Sequence, residues 1–162
     1  MAADTPISVL FVCMGNICRS PMAEAVFRHQ VAEAGLAERF RIDSAGTGAW
    51  HVGERPHSGT LAILVKHAID PGPQRARQLA PADFAAFDYI VAMDRENLAD
   101  MAAFHREAAS RARLLLDYAP GLHTREVPDP YYSGGFEQVY RLVEAGCRGL
   151  LAHILERMQD EG

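Results

Sequence analysis

The run Ile7 to Val12, apolar but for Ser8 and rich in β-branched residues, has the pattern of a strand buried on both faces. A short polar loop, Cys13 to Ser20, follows it. Ser20 can cap a helix and Pro21 suits its first position. That helix is expected to run through Ala23, Ala25, Val26 and Phe27 to a stop at Gly35. Phe40 to Ser44 reads as a second strand and Ala45 to Gly48 as a glycine-punctuated loop. A helix over Ser58 to His67 would place Leu61, Leu64, Val65 and Ala68 on one face, and Pro71-Gly72-Pro73 forces a loop. Tyr89 to Ala92 predicts a third strand, Arg95 to Phe104 a helix, and Ala112 to Leu116 a fourth strand. Asp117 to Gly134 carries Pro120, Pro128 and Pro130, and loops of that length inside a domain are usually functional or disordered. The last helix has the clearest stripe: Phe136, Val139, Val143, Cys147, Leu150, Ile154 and Met158 recur at three- and four-residue steps.

Strands alternating with helices predict an α/β fold: a four-stranded parallel sheet with helices on both faces. Ligands bind such sheets beyond the carboxyl ends of strands, which is where the Cys13 to Ser20 loop follows the first strand. The 162 residues suit a single domain over 1–162. With 49% hydrophobic and 23% charged residues, the composition is that of an ordinary globular chain. A net charge of −5 argues against general binding to nucleic acid or to an acidic membrane face. Met1 to Pro6 carries Asp4 and no basic residue, and the apolar run after it is too short for a signal core or a membrane span. A cytoplasmic location is therefore expected. Cys13, Cys18 and Cys147 are the three cysteines, too few and too odd for a disulfide framework.

The chemistry concentrates in Val12-Cys13-Met14-Gly15-Asn16-Ile17-Cys18-Arg19-Ser20-Pro21. A loop between a strand and a helix start turns backbone N–H groups into a shared hollow, and the helix dipole adds partial positive charge. Gly15 allows a backbone conformation that other residues resist, and Asn16 tolerates it better than most. Arg19 supplies a fixed fork of donors matched to two phosphate oxygens. Met14, Gly15, Asn16, Ile17, Cys18 and Ser20 complete a hollow for a dianion with the Cys13 thiol at its base. Such a setting favours the thiolate, which can attack phosphorus and form a phosphocysteine, while the N–H groups hold the equatorial oxygens. Ser20 is placed to donate a hydrogen bond to the sulfur.

The stretch resembles the signature of the low-molecular-weight protein tyrosine phosphatases, Cys-x-Gly-Asn-x-Cys-Arg-Ser-Pro. Further similar segments are Asp43-Ser44-Ala45-Gly46-Thr47 with Trp50-His51-Val52-Gly53, Arg75-Ala76-Arg77-Gln78, Phe87 to Asp94, and Val127-Pro128-Asp129-Pro130-Tyr131-Tyr132. They follow the family's order along almost the whole chain. The resemblance implies Cys13 as nucleophile, Arg19 as phosphate binder and Asp129 as general acid. It also implies that Asn16, Ser20 and Ser44 shape the loop by hydrogen bonds. Many members have a histidine where Gln74 stands, supporting the network around the asparagine; Gln74 can donate and accept but cannot carry charge.

Asp129 also opens an Asp-Pro turn. The long loop, the two following tyrosines and the need to protonate a leaving phenol favour the acid role. Asp94, at a strand end, is expected to hold the next helix or the Gln74 network. Trp50 follows a glycine-rich loop rather than a periodic stripe and reads as a cleft wall. His51 carries no required chemistry. A thiol walled by Ile17, Trp50, Tyr131 and Tyr132 calls for phosphate on a long, flat, apolar stem. That describes a phosphotyrosine-containing protein or a small aryl phosphate, with inorganic phosphate as product inhibitor. No cofactor is implied. Cys13 and Cys18 have the spacing of half a zinc site, but no second close Cys/His pair follows, so no metal is expected. Cys18 reads either as a packed thiol or as a partner that traps oxidised Cys13, and Cys147 as core. Three other functions are weighed. Arsenate reduction needs a downstream cysteine relay or an external thiol, and only Cys147 lies downstream, on a packed helix. Arginine phosphatases resemble this loop with threonine where Ile17 stands. A phosphate-binding module needs neither Cys13 nor Asp129.

Overall fold

Strand β1 (Ile7–Cys13) runs through the middle of a four-stranded sheet, with every residue from Ser8 to Cys13 buried. This computed structural model describes residues 5–161; the reading of the opening segment rests partly on residues 1–4, outside the described ones. β2 (Phe40–Gly46) pairs with one edge of β1 and β3 (Tyr89–Ala92) with the other, while β4 (Arg113–Leu114) pairs with β3. All pairings are parallel and the order is β2-β1-β3-β4. Side chains of β1 alternate between two cores, as the two-residue period of a strand requires. Val9, Phe11 and Cys13 face the core shared with α1 (Arg19–Glu33) and α7 (Phe136–Glu161); Leu10 and Val12 face Phe84 of α3 (Pro81–Ala86) and Met101 of α4 (Arg95–Phe104). The expected fold class holds. The chain crosses from β2 over β1 to β3, and the loop leaving β1 emerges at that crossover, where open parallel sheets form their crevice.

The third strand, the helix after it and the stripe on α7 match the sequence reading. Several features differ. β2 runs two residues past the expected strand, through Ala45 to Gly46, which pair with Val12 and Cys13. α1 starts at Arg19, with Cys18 at the cap and no side-chain cap bond; the Ser20 hydroxyl is engaged elsewhere. α2 (Ser58–Lys66) buries Thr60 and Leu64, while Val65 stays exposed. Thr60 Oγ1 donates to Cys18 O at 3.0 Å, which turns a polar position inward. β4 is only two residues long, because Leu115 to Tyr118 coil into a 3-10 turn that buries Leu115 and Leu116. Against that turn α7 presents Gly146 and Gly149; a Cβ on Gly149 would stand 1.8 Å from Tyr118 O. The long loop is also less open than its composition predicts. Val127 N–H donates to Met93 O at 2.9 Å, pinning the loop beside the end of β3. α6 (Pro130–Ser133) then forms after a short α5 (Arg106–Ala109) further upstream. No helix among the described residues is long and apolar enough to cross a membrane.

Candidate active site

The loop from Cys13 to Arg19 is held by Asn16, whose backbone adopts the left-handed region at φ 56°, a conformation asparagine reaches more readily than most residues. Its side chain is almost wholly buried and fully engaged. Oδ1 accepts from the Arg77 backbone N–H at 3.0 Å, and Nδ2 donates to Ser20 Oγ at 2.8 Å and Ser44 Oγ at 2.9 Å. Ser44, on β2, donates in turn to Glu24 Oε1 at 2.6 Å, and Glu24 pairs with Arg28 one turn along α1. Burial raises the Glu24 pKa, against the opposing bonds from Ser44 and Arg28. Gly15, expected to supply the unusual backbone angle, does not do so. Its lack of a side chain admits His51 instead: a Cβ there would stand 3.1 Å from His51 Cδ2.

Cys13 sits at the base of this loop, 2% exposed. Its Sγ accepts from Asn16 N–H at 3.3 Å and lies 3.0 Å from Ser20 Oγ. Since Ser20 already accepts from Asn16 Nδ2, its own proton is left for the sulfur. Arg19, on the first turn of α1, is also buried. Nη1 pairs with Asp94 Oδ2 at 2.5 Å and donates to Val127 O at 2.9 Å; Nη2 stands 3.7 Å from Asp129 Oδ2. Burial works against its charge, but Cys13, Asp94 and Asp129 outweigh that and raise its pKa. Asp94 serves two elements: its Oδ1 caps α4 by accepting from Asn97 N–H at 2.8 Å, and its other oxygen orients Arg19. Asp129 caps α6, accepting from Tyr131 N–H at 3.0 Å through Oδ1. The Cys18 thiol is pushed up to about 12, chiefly by burial and then by Cys13 and Asp129.

Above the loop opens a hollow of about 500 Å³. Met14, Gly15, Ile17 and Cys18 line its lower part with Cys13 and Arg19; Asp129, Trp50, Tyr131 and Tyr132 line the rest, together with His51. The Tyr131 and Tyr132 rings meet edge to face at 4.8 Å, and Tyr131 also meets His51 and His57 at 5.7 and 5.8 Å. Asn16, Ser20 and Ser44 lie behind the hollow rather than on its surface. Gln74 stands apart from them. Its Nε2 donates to Pro21 O and Pro71 O, both at 3.1 Å, so neither Asp94 nor Asn16 is tied to it. Glu24, through Ser44, and the Arg77 backbone complete the Asn16 network in its place. A buried thiol and guanidinium from the loop after β1, met by a carboxyl from the start of α6, are equipped for phosphoryl transfer.

A model of the family described as low molecular weight phosphotyrosine protein phosphatase matches residues 8–160. This chain belongs to that family. Among its relatives, the low molecular weight protein-tyrosine-phosphatase YfkJ of Bacillus subtilis is 50% identical over 156 residues, 94% of this chain and 99% of that protein. The crystal structure of YfkJ superposes with a TM-score of 0.92, covering 94% of this chain and 97% of the other. The low molecular weight phosphotyrosine protein phosphatase of Schizosaccharomyces pombe is 54% identical over 140 residues, 83% of this chain and 88% of its own. A Drosophila arginine phosphatase shares the fold at a TM-score of 0.82 and 36% identity, over 90% of this chain and 96% of its own. Within this member of the low molecular weight phosphatases, sequence reasoning missed Glu24, Arg77 and His51. Glu24 stands four residues after Ser20, one helical turn on, which was a usable signal. The backbone role of Arg77 left none.

Proposed function

We propose that this protein hydrolyses phosphotyrosine through a phosphocysteine intermediate. Cys13 Sγ attacks phosphorus while Arg19 holds two equatorial oxygens; the aryl oxygen leaves with the electron pair of its P–O bond and takes the Asp129 proton. A water then attacks phosphorus, forming the new O–P bond and giving its proton to Asp129 while the S–P bond breaks to release the thiolate and inorganic phosphate, which competes with substrate for the same hollow. The observation that carries this reading is the placement of Cys13, Arg19 and Asp129 on one hollow, with Asp129 Oδ2 3.7 Å from the guanidinium. The depth of Cys13, 2% exposed, and the aromatic rim support a phenyl stem, since serine and threonine stems are too short to bring phosphorus to the sulfur. Each good aromatic pair adds about 0.5–1.5 kcal/mol. Cys147 is buried in the α7 core, away from the hollow, which weighs against an arsenate-reducing relay. The three free thiols fit a cytoplasmic setting.

Ile17, buried in the loop, offers bulk and no hydroxyl to orient a guanidinium. Matched phosphotyrosine and phosphoarginine peptides therefore test the substrate class, with Ile17→Thr alongside. The wild type is expected to favour phosphotyrosine, and Ile17→Thr to narrow the gap. Equal kcat/KM for both peptides in the wild type would overturn the assignment. Steady turnover by Cys13→Ser would overturn the covalent route.

A further inference from the structure

Beside the hollow over Cys13 lies a second, of about 380 Å³, and the two share Met14 and Trp50 as a common wall. Its far side is one face of α4, where Glu96, Asp100 and Phe104 recur at four-residue steps, and Thr47 closes one end. The partition is built into the backbone. The Trp50 ring lies on Gly48, where a Cβ would stand 1.9 Å from Cζ3, so no side chain there is compatible with the indole's position. Trp50 and Phe104 nevertheless stay largely exposed, at 73% and 47%. Among the described residues no Lys or Arg lines this second hollow. Asp100 has one long contact, 3.4 Å from Thr47 Oγ1, and Glu96 is exposed beside it. The lining therefore combines two aromatic surfaces with two carboxylates uncompensated by a cation.

We infer that this hollow receives a lysine or arginine side chain next to the phosphotyrosine of a polypeptide substrate, making Glu96 and Asp100 specificity residues. The inference rests on reading the first hollow as a phosphotyrosine site. Once the phenyl ring stands against one side of Trp50, a neighbouring residue of the same peptide, with its Cα about 3.8 Å along the chain, is carried over the partition. A basic side chain matches what lies there. Its alkyl stem covers apolar rings while its head stays toward water, ring faces attract the cation, and the carboxylates supply the countercharge. Glutamate at the same place meets two like charges.

The test uses phosphotyrosine peptides identical except for lysine, alanine or glutamate on either side of the phosphotyrosine. Each kcat/KM is divided by that of the same protein for nitrophenyl phosphate, so that a general loss of activity cancels. The wild type is expected to prefer the lysine peptide over the glutamate peptide by roughly three- to tenfold at low ionic strength, the size of two exposed ion pairs, and less in added salt. Glu96→Gln combined with Asp100→Asn is expected to bring the ratio close to one. A wild-type ratio near one, or a ratio unchanged in the double variant, overturns the subsite while leaving the phosphatase reading standing. Failure to turn over nitrophenyl phosphate as well as every peptide overturns both.

Discussion

Asp129 spends one oxygen on position and keeps the other toward the chemistry: Oδ1 caps α6 and Oδ2 faces Arg19. If it is the general acid, Asp129→Ala lowers phosphotyrosine turnover by roughly 10²–10⁴-fold. The loss shrinks for nitrophenol leaving groups, which depart without a proton. Steady-state kinetics over a leaving-group series decides it, and an equal loss throughout would make Asp129 a positioning residue. Glu24 poses a different question, because it is buried and its pKa is raised. A folded-state pKa above the unfolded one means a contribution fully present below the unfolded value and lost as pH rises through the folded value. Glu24→Gln has no such loss. The difference in unfolding free energy between variant and wild type is thus expected to move in the variant's favour from about pH 4 to about pH 7. Urea unfolding at the two pH values measures it, and a pH-independent difference would refute the shift.

Each working side chain owes its place to an element end. β1 delivers Cys13 as it finishes, α1 delivers Arg19 as it begins, and the stop of β3 with the start of α4 delivers Asp94. These ends are placed by helices packed on the sheet, α1 foremost, while α7 packs on α1 and approaches the 3-10 turn through its glycines. Gly149→Ala drives a methyl group into Tyr118 O. Overpacking of this kind costs about 1–3 kcal/mol, and each kcal/mol lowers Tm by about 2–4 °C in a domain of this size. Gly121→Ala, whose added Cβ meets nothing within 4 Å, is the control. Calorimetry showing equal Tm for both variants would contradict the close approach.

At the scale of the molecule, a net charge of −5 coexists with a buried guanidinium, Arg19, at the hollow proposed to hold phosphate. Global charge and local field are separable, because a buried guanidinium acts at short range while surface charges are screened within about 8–10 Å. Inorganic phosphate is accordingly expected to raise Tm, with a stabilisation of about 2.7 kcal/mol when its concentration reaches about 100 Kd. Cys13→Ser should keep that gain and Arg19→Ala should lose most of it. A thermal shift series in phosphate against chloride at equal ionic strength tests this, and a wild type that does not respond would remove the dianion cradle.

Much of this was legible along the chain itself. The buried strand Ile7 to Val12, the strand Tyr89 to Ala92 and the helix Arg95 to Phe104 follow from apolar runs and cap residues, signals that act within a turn or a strand. The residue types of the loop from Cys13 to Ser20 likewise name their own chemistry, because thiol, guanidinium and helix start are neighbours in sequence. What lay beyond local pattern was decided by the fold. The inward turn of Thr60, the shortening of β4, the separation of Gln74 from Asn16 and the burial of Glu24 depend on distant residues: Thr60 bonds Cys18, 42 positions away, Gln74 bonds Pro21, 53 away, and Glu24 meets Ser44, 20 away. So does the second hollow, since Trp50 and Asp100 belong to different segments with no shared periodicity. The physical reason is that hydrophobic period and capping act within a segment, whereas the order β2-β1-β3-β4 sets which segments meet and which polar groups must find partners where they do.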